Sequence, residues 1–152
     1  DAFVYLLDSK PAYAELLLAD PANRKRFSTE RIEWHTLATF GYDLSSSLGS
    51  YLISKSDLKS VLAIRGAYGA LFPAAAELQR LLGDRRFWNL SHKRNLIVHK
   101  RGIVDQQYLD ATGDKLVVGD TIWVEPGEVE DLLETTLKVG LEIVRQVANA
   151  TK

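Results

Sequence analysis

Cysteine and methionine are both absent from the 152 residues, proline occurs only 4 times, and apolar runs are short. Without cysteine there are no disulfides and no thiolate-rich zinc or iron–sulfur sites, and nothing argues for an oxidising compartment. The expected setting is therefore the cytoplasm. The apolar stretch at 68–76 is interrupted by Gly69 and Pro73, and a helix crossing a bilayer needs about 20 apolar residues in succession, so no membrane span is expected. No charged-then-apolar signal segment opens the chain. It begins at Asp1, so we expect Asp1 not to be the natural translation start, which leaves a longer parent chain open. Length and a hydrophobic fraction of 46% fit one domain over 1–152 with a real core.

A net charge of −1 conceals a segregation of sign. Between Arg80 and Arg101 lie Arg80, Arg85, Arg86, Lys93, Arg94, Lys100 and Arg101 against the single acid Asp84. From Asp105 to Glu134 the balance reverses, with Lys115 facing nine acids. The chain thus carries a basic segment without being a basic protein, and that segment suits a local anionic ligand.

The pattern along the chain is helical. In the first 27 residues, apolar runs at 3–7 and 13–19 are broken by Pro11 and Pro21, which predicts two short helices and a linker. Ser28 reads as the N-cap of a long helix through about Ser54, with Ile32, Leu37, Phe40, Leu44, Leu48 and Tyr51 near helical spacing. Gly41, Ser45 and Gly49 recur every four residues there, a stripe that lets another helix approach closely. Ser56 is a candidate cap for the next helix, broken by Gly66, Gly69 and Pro73 before the pattern resumes at 74–82. Gly119-Asp120, flanked by 115–118 and 121–125, has the form of a tight β-hairpin connection. Beyond Pro126-Gly127, apolar residues at Val129, Leu132, Leu133, Leu137, Leu141, Val144 and Val147 predict a final amphipathic helix that closes the bundle. The fold class expected is mainly α, a helical bundle with a small β-hairpin before the last helix.

Asp84 as N-cap and Gly102 as the residue after the end delimit a basic helix at about 85–101. Within it His92-Lys93-Arg94 recurs seven residues later as His99-Lys100-Arg101, so like side chains stack in rows. Trp88, His92, Asn95 and His99 share one face; Phe87, Leu90, Ile97 and Val98 fall on another, expected to face the core. Arg94 lies within that apolar stripe. A guanidinium there breaks the binary pattern, as functional residues often do, although a snorkelling or salt-bridged arginine explains it too. His99 is a candidate general acid or base, Arg94 a phosphate partner, and Asn95, four residues before His99, can orient the ring or bond the ligand. Lys93, Lys100, Arg101, His92 and Trp88 are the expected substrate contacts, with His92 alternatively a surface residue and Trp88 alternatively packing. No Gly-rich phosphate loop, nucleophile elbow or zinc-type His/Glu spacing is found, and His35 stands isolated. No metal or cofactor site is expected.

The string Arg94-Asn95-Leu96-Ile97-Val98-His99-Lys100-Arg101-Gly102-Ile103-Val104-Asp105, followed by Tyr108-Leu109, resembles the Arg-to-His motif and its surroundings in HEPN-superfamily domains of bacterial defence and toxin systems. The resemblance implies a helical bundle that dimerises with its motif helices facing across a cleft. It also implies metal-independent RNA cleavage, with His99 assisting attack by the ribose 2′-hydroxyl and Arg94 holding the scissile phosphate. RNA, a second copy of the chain and an antitoxin or larger defence complex are the implied partners. By the 3.6-residue period Arg94 and His99 point about 140° apart, so they converge only if Arg94 reaches around or a second subunit contributes. The alternatives are a catalytically silent HEPN-like module that grips RNA, a nucleotide or an acidic protein surface, and a plain helical dimerisation domain.

Overall fold

A computed structural model describes residues 1–27 and 31–152. Among them the chain is mainly helical, with no helix long and apolar enough to cross a membrane. The helices are α1 (Ala2–Ser9), α2 (Tyr13–Ala19), α3 (Pro21–Arg26), α4 (Trp34–Thr39), α5 (Leu48–Lys55), α6 (Val61–Leu71), α7 (Ala76–Leu82), α8 (Arg85–Lys100), α9 (Gln106–Thr112) and α10 (Pro126–Ala150). They group into two compact units, residues 1–79 with 140–152 and residues 80–139, whose boundaries fall within α7 and α10.

In the first unit α1 packs on α5, and α2 on α3 and α6. Phe3, Leu6, Leu7, Leu17, Phe27 and Tyr68 are buried, and the Phe3 ring stacks on Phe27 at 5.5 Å and meets Tyr68 edge-on at 6.4 Å. Pro21 starts a third helix instead of a linker: it occupies the first turn, where a missing N–H costs nothing, and Asp20 caps the N–H groups of Ala22 and Asn23. Buried Asn23 donates from Nδ2 to the Gly66 carbonyl at 3.0 Å, fastening α3 to the backbone of α6.

The long helix expected from 28 to 54 does not form as one element. Ser28 lies outside the described residues, and the helix is broken between α4 and α5. Gly41 and Tyr42 both adopt left-handed backbone, with φ of 64° and 63°, and Asp43 Oδ1 accepts from the Ser45 N–H to stabilise the turn. Of the small-residue stripe only Gly49 makes a close approach. An added Cβ there would sit 2.6 Å from the Val4 carbonyl oxygen, and Asp8 on α1 accepts from the Gly49 and Ser50 N–H groups, capping α5 from another helix. The next helix is capped by Ser60, which accepts from Ala63 N–H, while Ser56 ends α5; α6 runs through Gly66 and Gly69 without a break.

The second unit holds α8, α9 and the first part of α10. Its core gathers Leu96, Val104, Tyr108 and Ile122, with Leu109 packed against them. The expected β-hairpin is not formed among the described residues. The tight turn is present, with Asp120 N–H donating to Val117 and Asp120 Oδ2 accepting from Val117 N–H. The residues after it pair elsewhere: Val104 N–H donates to the Asp120 carbonyl, Ile122 N–H to the Gly102 carbonyl, and Ile103 and Thr121 form an isolated antiparallel bridge. Burial of Ile122 against Leu96, Val104 and Tyr108 decides the pairing, because a hairpin alone would leave that side chain without a core.

The last helix forms, starting at Pro126, but of the stripe expected of it only Val147 is buried and Leu132 half-buried. Val129, Leu133 and Leu137 are exposed, and so, further along α10, are Leu141 and Val144. The buried positions among its described residues are Thr135, Val139, Glu142, Ile143 and Val147, of which only Val147 belongs to the expected stripe.

Candidate nucleic-acid interface

The site helix α8 begins where Asp84 accepts from the Arg86 N–H at 2.8 Å. The Arg86 guanidinium returns to Asp84, and this hydrogen bond holds the Asp84 carboxyl below its ordinary value. At the other end the helix stops at Lys100, two residues before Gly102. Arg101 takes the left-handed conformation at φ 55° and Gly102 follows at φ 79°, its N–H donating to the Leu96 carbonyl at 2.9 Å. This sharp reversal carries the chain back over α8, so that Asp105 can cap α9 by accepting from Tyr108 N–H at 2.8 Å.

Between the two helices lies a groove of about 290 Å³. From α8 it is lined by His92, Asn95, Leu96, His99 and Lys100; from the α9 side by Asp105, Gln107 and Tyr108. The shared face expected of His92, Asn95 and His99 is therefore realised, and Lys100 joins it. Trp88 does not line the groove. Its indole Nε1 donates weakly to the Ala111 carbonyl at 3.4 Å, and its ring meets His92 edge-on at 4.7 Å, so it positions that imidazole from behind.

Arg94 and His99 are not brought together in the groove, which His99 lines and Arg94 does not. Arg94 is exposed and makes a long 3.4 Å contact from its guanidinium to Asn95 Oδ1. The expectation that Ile97 and Val98 face the core is corrected: they are 47% and 55% exposed, whereas Phe87, at the start of the same stripe, is buried. The core-facing residue in the last turns of α8 is Leu96, because the 102–104 and 119–122 segments and α9 cover that side. Arg94 thus sits on an uncovered apolar stretch and not in the core.

Lys93 points away from the groove, pairing with Glu128 of α10. It lines a second cavity of about 460 Å³ with Asn89, Tyr108, Asp114 and Asp131; the Asn89 Oδ1 is buried without a hydrogen-bond partner among the described residues. Tyr108 lines both spaces. Burial first, and then the hydrogen bond it donates to Asp114 at 2.9 Å, push its phenol up to about 12, so it is a fixed wall and not a proton carrier near neutral pH. Arg101 is exposed at the helix end, and His35 is exposed beside Glu33. Among the described residues no three His, Asp or Glu side chains converge as a metal-ligand set.

Leu96, Asp105, Gln107 and Tyr108 are the groove residues not expected as part of the site. Asp105 is legible afterwards as the first acid beyond the basic run and as an N-cap before Tyr108; nothing in the sequence singles out Gln107. The groove offers two imidazoles, one ammonium and one amide on one wall, and a carboxylate and an amide on the other. Compared with protein-family models, with characterised proteins and with solved structures, the chain matches none.

Proposed function

We propose that this chain is a HEPN-like, metal-independent endoribonuclease whose site is completed across a homodimer, acting in the cytoplasm in bacterial defence or as a toxin held by an antitoxin. The observation that carries the reading is the division of labour along α8: His92, Asn95, His99 and Lys100 line one groove, while Arg94 stands outside it on the exposed apolar stretch of Ile97 and Val98. A second subunit laid over that stretch would bury Ile97 and Val98 and bring its own groove toward Arg94. The exposed Val129, Leu133 and Leu137 in the same unit give such an interface further apolar surface.

In this reading His99 accepts the proton of the ribose 2′-hydroxyl as that oxygen attacks the adjacent phosphorus. The bond from phosphorus to the 5′-oxygen breaks, the leaving oxygen takes a proton from the partner subunit's His99 or from water, and a 2′,3′-cyclic phosphate results. Arg94 and Lys100 offset the charge that grows on the phosphoryl oxygens. Asn95 holds the imidazole or the phosphate by hydrogen bonding. Without a 2′-hydroxyl there is no nucleophile, so DNA is not cut.

The test is incubation of labelled RNA with the protein in excess chelator, beside His99→Ala and Arg94→Ala. Cyclic-phosphate ends from the wild type, with a loss of at least about a hundredfold in either variant, support the proposal. RNA bound equally by all three proteins and cut by none would reduce the chain to a binding module.

A further inference from the structure

The groove holds one group that a pure phosphate site would exclude, the carboxylate of Asp105, set opposite Lys100 and the two histidines. Its Oδ1 caps α9 through the Tyr108 N–H, and its Oδ2 takes no hydrogen bond from the described residues. Gln107, two residues further on, is exposed, and its amide makes no hydrogen bond with the described residues. A phosphate placed against Asp105 would meet a like charge, so a ligand that sets N–H donors at that wall and its anionic part against Lys100 fits the groove better.

Among the nucleobases only guanine presents two adjacent donors, N1–H and the N2 amino group, on one edge with no acceptor between them. Adenine and cytosine each set a ring-nitrogen acceptor beside their amino group, which would face the carboxylate unfavourably, and uracil flanks its single N–H with two carbonyls. We propose that the groove selects guanine: Asp105 accepts from N1–H and N2–H, the Gln107 amide donates to O6, and the attached phosphate lies against Lys100 and His99. The proposal rests on the RNA reading above and adds the base at the cleavage site.

The test titrates guanosine, adenosine, cytidine and uridine 3′-monophosphates into the wild-type chain and into Asp105→Asn by calorimetry, with RNA cleavage followed in parallel. Asparagine still caps α9, so the variant removes the carboxylate and keeps the helix. The wild type should bind the guanosine nucleotide about tenfold tighter than the others, within the range of one bidentate base contact, and Asp105→Asn should lose most of that preference with an unchanged melting temperature. Equal affinity for all four nucleotides in the wild type, or a preference that survives in Asp105→Asn, overturns the proposal. RNA cut without preference for guanine sinks this inference and leaves the nuclease standing. Selective guanosine binding by a chain that cuts no RNA sinks the nuclease and leaves the guanine groove.

Discussion

Asp84 shows how one side chain frames the site. It accepts from the Arg86 N–H and is in turn bonded by the Arg86 guanidinium, so the first turn of α8 is held by a side chain that is itself held. Asp84→Ala removes a helix cap and should cost about 1 kcal/mol, lowering the melting temperature by roughly 2–4 °C for a chain of this size; Asp84→Asn should recover most of it. The pH dependence has a definite sign. Because the folded carboxyl is held below its unfolded value, its contribution is complete above the ordinary aspartate range near about 3.9 and is lost as pH falls through the lower folded value. Arg86 is 62% exposed, so solvent screens the pair and the acid effect is small. Acid unfolding of wild type and Asp84→Asn, followed by circular dichroism, checks it: the two stability curves should converge below pH of about 4. A constant offset at all pH would refute the role of the charge.

At the scale of elements, helix ends were legible in the sequence and helix partners were not. Asp84 and the Arg101-Gly102 reversal delimit α8 within a residue of expectation, because capping is local chemistry. The pairing of Gly102 and Val104 with Asp120 and Ile122 was not legible, since it depends on which core receives Ile122. The same holds for the site: spacing alone placed His92, Asn95 and His99 on one face, whereas Asp105 and Gln107 enter only through the fold-back of the chain. Gly49 marks the contact on which α1 and α5 rest. A methyl group there would lie 2.6 Å from the Val4 carbonyl oxygen and 2.8 Å from its Cα, both backbone atoms that cannot swing aside. Gly49→Ala should therefore destabilise by about 1–3 kcal/mol, the usual range for overpacking, despite alanine's better helix propensity. A denaturation midpoint equal to or above that of the wild type would show that the two helices separate at no cost.

For the whole molecule, the segregation of charge matters more than its sum of −1. The open cations at and beside the groove are Arg94, Lys100 and Arg101, since Lys93 is paired with Glu128. Single-stranded RNA that engages these three should lose affinity with salt at a log–log slope of about −2, and RNA held by two subunits at about −4, from roughly 0.7 per neutralised phosphate. The slope therefore counts subunits at the site. Replacing Ile97 and Val98 together by asparagine leaves the charge unchanged and removes exposed apolar surface, so it should not unfold the chain. If the dimer completes the site, this double variant should sediment as a monomer, show the shallower slope, and lose RNA cleavage while its far-ultraviolet spectrum is preserved. A wild type that is monomeric, shows the slope of one subunit and cuts RNA at full rate would place the whole site in one chain, and Arg94 would then have to act by reaching around its own helix.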